Sequence, residues 1–193
     1  MPQRNSVINR REALRRAALL LGGVVSAPSL AGVLAGCETP RTERGWTPRA
    51  MTAEQAELVA TIAEHIVPET DTPGARGVGV HRFIDTMLAE YYAATDRANF
   101  LAGLADVDVR ARRAGGKHFV DAPKAQQVAI LSELDREAYA NASPHFFRTM
   151  KELTLLGYYT SEPGATRELQ FNPTPGRFEG CVPMSRIGRA WSV

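Results

Sequence analysis

Residues 80–91, VHRFIDTMLAEY, decide how the rest of the chain is read. Val80, Phe83, Ile84, Met87, Leu88 and Tyr91 recur at i, i+3, i+4, i+7, i+8 and i+11, which lines apolar side chains along one side of a helix. Working backward, Pro68 to Gly79 (PETDTPGARGVG) is dense in turn formers and reads as a loop. Before it, Leu58, Val59, Ile62 and Ile66 repeat the helical spacing, and Pro68 ends the run. Thr52-Ala53-Glu54-Gln55 has the form of a capping box, with a side-chain acceptor first and Gln at the third helical position.

Working forward, Thr95-Asp96 opens a third helix with Phe100, Leu101, Leu104, Val107 and Ala111 facing inward, stopped by Gly115-Gly116. Asp121 is the expected cap of a fourth, carrying Ala125, Val128, Leu131, Leu134 and Ala138 inward. Ser143-Pro144 is the expected start of a fifth, with Phe146, Phe147, Met150, Leu153 and Leu156 inside and Gly157 as its stop. No stretch between 52 and 157 alternates with period two. The expected fold class is therefore all-α, a bundle of about five helices over residues 52–157.

After Gly157 the character changes. Residues 158–193 hold Pro163, Pro173, Pro175 and Pro183 together with Tyr158, Tyr159, Phe171, Phe178 and Trp191. That much proline forbids long helices, yet so many aromatics are unusual in a disordered tail. The segment is expected to be extended, ordered coil that either wraps its own bundle or supplies a surface to a partner.

The amino-terminal end reads as an address. Arg4, Arg10, Arg11, Arg15 and Arg16 face a single acid, Glu12, and Ala17 to Gly36 then runs twenty residues without a charge. A basic region, an apolar region and a small-residue end make an export signal over residues 1–36. Twenty apolar residues could also span a bilayer, but four Gly, two Ser and Pro28 make this run a poor transmembrane helix. Arg10-Arg11, with Leu14 three places on and Arg15 after it, resembles the twin-arginine signal of proteins exported already folded. Ala13 stands where Phe is usual, and Arg15-Arg16 is a competing pair. Leu34-Ala35-Gly36-Cys37 resembles a bacterial lipobox, in which Cys37 takes lipid and becomes the mature terminus; an ordinary cleavage site with an incidental Cys is the other reading. Residues 37–51, polar with two Pro, are then a tether.

Locating the charges disposes of nucleic acid as a partner. The chain has 23 Lys+Arg against 21 Asp+Glu, but beyond residue 36 the balance is 18 against 20. Nucleic-acid-binding domains show a basic patch and a high pI, and the expected mature chain is slightly acidic. Arg110, Arg112, Arg113 and Lys117 remain as a local cluster, expected to be a solvated face near a helix end.

The search for chemistry returns little. His65, His81, His118 and His145 fall at no paired zinc spacing, and Cys-x-x-Cys-His, HExxH, GxSxG and P-loop motifs are absent from the sequence. The glycines of residues 74–79 lack both the GxGxxG order and a preceding strand. Catalytic, metal and cofactor-binding residues are therefore expected to be none in this chain. With Cys37 lipidated, Cys181 is the one remaining thiol, either buried and inert or paired with a partner.

Several short motifs now combine. TAEQ (52–55), IVPETDTPGA (66–75), LTLLGYYTSE (153–162) and PGRFEGC (175–181) resemble, in order and spacing, the gluconate 2-dehydrogenase subunit 3 family, as does the twin-arginine leader. The resemblance implies a small, non-catalytic subunit of a periplasmic, membrane-associated sugar or polyol dehydrogenase. It implies an FAD-dependent large subunit of the glucose–methanol–choline type, with any iron–sulfur or haem c group also held by partners and either a cytochrome c subunit or a diffusible quinone as electron acceptor. The large subunit commonly lacks an export signal, so the small subunit's leader would take the folded, flavin-loaded pair to the twin-arginine translocase. On this reading Arg10 and Arg11 direct export and Cys37 carries the membrane anchor. Tyr158, Tyr159, Phe171, Phe178, Cys181 and Trp191 would meet the partner. The alternative is a standalone periplasmic lipoprotein that binds a ligand or an envelope component.

Overall fold

A computed structural model of the chain describes residues 45–140, 144–174, 176 and 179–192. The chain divides into two units at Trp46 and Thr47, and the second, residues 47–193, carries the elements below. Arg10, Arg11, Cys37 and Phe178 lie outside the described residues.

The described elements make an all-α bundle. Helix α1 runs Ala53–Ile66, α2 Val80–Glu90, α3 Ala94–Gly115, α4 Lys124–Ala140 and α5 Phe146–Tyr159. Helix α5 packs against each of the other four. Ile62, Ile84, Leu88, Leu104, Leu134, Met150, Phe119 and Tyr158 are the largest of the fully buried side chains. Burying a Leu, Ile or Phe contributes ~1.5–3 kcal/mol each, so this shared centre is the main source of stability.

The capping box forms as read. Thr52 Oγ1 accepts from the Gln55 N–H (3.2 Å) while Gln55 Oε1 accepts from the Thr52 N–H (2.9 Å). The expected tether, however, joins the fold earlier than residue 51. Asp85 of α2 is buried, and its carboxylate accepts the backbone N–H groups of Arg49 (2.9 Å), Ala50 (2.9 Å) and Met51 (3.2 Å). An acid on a helix reads as a surface residue, whereas here three N–H donors satisfy it inside. The buried face of α2 turns accordingly: His81 and Asp85 join Val80, Ile84 and Leu88, Phe83 and Met87 are half-buried, and Tyr91 is exposed.

Helix α4 departs from expectation in the same way. Asp121 belongs to a single 3-10 turn, Phe119–Asp121, and the helix starts later, after Pro123. Its buried face is Gln127, Ile130, Leu131, Leu134 and Ala138, with Ala125 and Val128 exposed. Gln127 is inside because it is fully used: its amide donates to the Phe119 carbonyl (2.7 Å), and its oxygen meets His65 Nε2 (2.8 Å).

Helix α5 is capped by His145, whose Nδ1 accepts from the Phe147 N–H (3.2 Å); Ser143 lies outside the described residues. Nor does Gly157 stop it. The helix continues to Tyr159, and a Cβ at Gly157 would sit 2.6 Å from Phe83 Cδ1, so the glycine lets α2 and α5 approach. Leu156, expected inside, is exposed.

The basic cluster splits. Arg110 joins α3 to α4 through a two-pronged contact with Glu137 (2.7 and 2.8 Å) and a third bond to Asp106 (2.7 Å), while Arg112 turns to Asp108 (3.3 Å). The hydrogen bond to Glu137 raises the Arg110 pKa, and the same contact holds the Glu137 carboxyl below the usual range.

Candidate functional site

The loop between α1 and α2 is the platform on which the C-terminal segment rests. Glu64, near the end of α1, accepts the N–H groups of Glu69 (2.8 Å) and Arg76 (2.9 Å), folding the loop back along its own helix. Gly74 is obligatory there, since a Cβ would lie 2.3 Å from Glu64 Oε1 and 2.5 Å from the Glu69 nitrogen. Arg76 continues along α1 to Glu57 (2.9 Å) and Thr61 (2.8 Å).

Tyr158 fastens this loop to α5. Its side chain is 1% exposed, and its hydroxyl donates to the Pro73 carbonyl (3.0 Å) beside Thr72 Oγ1 (3.2 Å). Thr72 in turn donates to Glu168 (3.0 Å), beyond the end of α5. Expected at a partner interface, Tyr158 instead lies within its own fold, because its hydroxyl has local acceptors and its ring fills the core. Tyr159 stacks edge-on against it at 5.3 Å and stays 37% exposed.

Beyond α5 the chain makes a π-type turn, Gly164–Glu168, then strand β1, Gln170–Phe171, a short helix α6, Met184–Ile187, and strand β2, Trp191–Ser192. The strands are parallel, with Gln170 opposite Trp191 and Phe171 opposite Ser192. Gln170 donates its N–H to Ala190 O (2.8 Å) and Asn172 its N–H to Ser192 O (2.8 Å). The Gln170 amide also donates to the carbonyls of Arg189 (3.1 Å) and Ile187, and Arg189 reaches the Arg167 carbonyl. The segment is thus pinned on the bundle at Glu168 and internally by its ladder, leaving Phe171 52%, Trp191 55% and Met184 77% exposed. Cys181 is a free, exposed thiol, so the buried, inert reading of it does not hold.

A groove of about 690 Å³ opens between the start of α1 and the middle of α3. Ala53, Leu58, Leu104 and Val120 give it apolar walls, and Asp108 and His118 stand on its rim. Asp108 accepts from the Phe119 N–H (2.9 Å) and meets His118 Nδ1 (2.7 Å). Burial pushes the Asp108 carboxyl up, but the Phe119 N–H, His118 and Arg112 outweigh it and leave the group below the usual carboxylate range. This is the geometry of a cap for the 3-10 turn, in which the acid fixes the backbone that follows α3.

Among the described residues no three of His, Cys, Asp and Glu converge as metal ligands, and no helix is long and apolar enough to cross a membrane. The exposed aromatics of the pinned segment are of a kind suited to binding another protein.

Comparison with known proteins supplies the family. No curated protein and no solved structure matches the chain. The sequence profile of gluconate 2-dehydrogenase subunit 3 matches residues 53–176, from the first residue of α1, through the Glu64-bound loop and Tyr158, past β1. The chain therefore belongs to the gluconate 2-dehydrogenase subunit 3 family and is a small subunit of a dehydrogenase complex.

Proposed function

We propose that the chain is the non-catalytic subunit of a periplasmic, membrane-associated dehydrogenase whose large subunit is an FAD-dependent protein of the glucose–methanol–choline type acting on a sugar, polyol or glycoside. Its work is to escort that subunit through the twin-arginine translocase, assist its maturation and hold it at the membrane through lipid on Cys37. The flavin, and any iron–sulfur or haem c group, belong to partners, with a cytochrome c subunit or a diffusible quinone as the onward electron acceptor.

The observation that carries this reading is the family match across α1 to α5 and into the aromatic segment. The Arg10-Arg11 leader supports export of a folded cargo, and the exposure of Phe171, Trp191 and Tyr159 supports a bound partner. Cys181, exposed on the same segment, is available for a disulfide with a partner thiol.

The test replaces Arg10, Arg11, Arg15 and Arg16 by Lys and follows dehydrogenase activity by cell fraction. Activity stranded in the cytoplasm is expected. Undiminished periplasmic activity would sink the escort role.

A further inference from the structure

We propose that the β1–β2 ladder acts as a two-sided ribbon that enters an acid-lined cleft in the flavoprotein subunit, rather than one face laid on a flat surface. The proposal rests on the subunit reading above and adds how the partner is gripped.

The geometry begins with the register. Residues opposite each other in a ladder point to the same side, and neighbours along a strand point to opposite sides. With Gln170 opposite Trp191 and Phe171 opposite Ser192, the indole and the phenyl ring project from opposite faces. Both are more than half exposed. An ordinary half-buried strand pair has one wet face and one face on a core. This pair presents an aromatic ring to solvent on each side.

Aromatic rings bury ~150–250 Å² apiece when covered, a large contribution that solvent exposure forfeits. A flat partner covers one face and leaves the other ring in water; a cleft covers both. The Gln170 amide, on the indole's side, is already committed to backbone carbonyls of the same segment. That side therefore asks for apolar cover rather than for a polar anchor.

Charge indicates the cleft's lining. Residues 164–192, which carry both strands, contain Arg167, Arg177, Arg186 and Arg189 against Glu168 and Glu179, and Arg186 and Arg189 are exposed. Residues 47–157 have the opposite balance, 12 Lys+Arg against 15 Asp+Glu. The ribbon is thus a basic corner on an acidic body, complementary to carboxylates on the partner's cleft walls.

The experiment uses the full tagged chain co-expressed with the flavoprotein subunit, purified as the complex and followed by flavin absorbance. Hydroxyl-radical footprinting with mass spectrometry compares the free chain with the complex. Oxidation of Phe171 and of Trp191 is expected to fall about fivefold or more for both residues, as for rings at the core of an interface. Protection of only one ring, or of neither, overturns the ribbon. In parallel, Phe171→Ala and Trp191→Ala are each expected to speed dissociation about tenfold, and one variant dissociating like the parent also overturns it. The double reversal Arg186→Glu, Arg189→Glu is expected to slow association at least tenfold at low salt, and an unchanged rate overturns the acid-lined cleft. If the chain alone dimerises and both ring variants abolish the dimer, the occupant is a second copy and the proposal fails. Absence of any copurifying flavoprotein would count against the subunit's proposed role, not against the ribbon geometry.

Discussion

Tyr158, at the end of the bundle's central helix, donates its hydroxyl proton to the carbonyl of Pro73 (3.0 Å), 85 residues earlier in the chain. One buried phenol thereby joins the helix, the interhelical loop and, through Thr72, the C-terminal segment. Tyr158→Phe keeps the ring and removes the bond, leaving the Pro73 carbonyl without this donor. A loss of about 1–2 kcal/mol is expected in urea unfolding, with faster amide exchange confined to residues 68–79 and 164–170. A global rise in exchange with no local bias would contradict this linkage.

Asp85 gathers three backbone N–H groups with two oxygens in a buried site. Asp85→Ala abandons all three donors and is expected to destabilise by roughly 3 kcal/mol. Asp85→Asn keeps one acceptor oxygen and should cost less than half of that. Denaturant midpoints at constant m-value distinguish the two, and equal losses would show that a single neutral acceptor oxygen rescues nothing and that the carboxylate's charge and second oxygen are indispensable.

Gly74→Ala places a methyl group against both a carboxylate and a backbone nitrogen, neither of which moves without breaking the loop's hold on α1. The expected cost is about 2 kcal/mol or more. Gly157→Ala meets the half-buried Phe83 ring instead, which can swing aside, and should cost less. Thermal melts of the two variants under one buffer give the ranking directly.

Acid stability follows from Asp108 and Glu137, both held below their usual pKa in the folded state. A depressed folded pKa means the unfolded chain takes up protons first. The stability these groups add is therefore complete above the unfolded pKa and drains as pH falls through the folded value. For Asp108, whose ordinary value is 3.8, unfolding curves of the parent and Asp108→Asn should differ by a constant amount at pH 6–7, and the gap should start to narrow near pH 4 and keep narrowing as pH falls through the lower folded value. Glu137 contributes less, since water screens its partly exposed pair with Arg110. A gap between parent and variant that widens in acid would refute the assignment.

Local signals in the sequence translate well into structure where neighbours in the chain decide the outcome. Thr52 and Gln55 cap each other, Pro68 follows the end of α1, and Gly116 ends α3 in the left-handed region at φ 72°. Phase is lost where a polar residue is inside. Periodicity treats His81, Asp85 and Gln127 as outward, so the faces of α2 and α4 come out rotated. Their partners lie far away in sequence, 36 residues from Asp85 to Arg49 and 62 from Gln127 to His65, beyond any local pattern. The same distance hides the role of Tyr158, whose aromatic character is legible but whose acceptor is not. The prolines around Phe171, Trp191 and Cys181 exclude a long helix but leave open whether the segment wraps the bundle or faces outward, and only the fold shows these three side chains exposed. Their arrangement on a parallel two-residue ladder was not legible, since nothing in Gln170-Phe171 alone marks a strand.

That ladder is parallel, so its strands need a crossover, and residues 172–190 supply it with Cys181 near the midpoint. The crossover behaves as a belt buckled at Trp191 and Ser192. Two backbone hydrogen bonds keep Cys181 within a closed loop instead of on a freely swinging tail. Closing the loop restricts the volume the thiol explores and raises its effective concentration at whatever surface the belt meets. Opening the buckle, by deleting residues 191–193, would lower that concentration without altering the thiol itself. The reach of the cysteine is thus governed ten residues away, by main-chain groups that carry no reactive chemistry of their own.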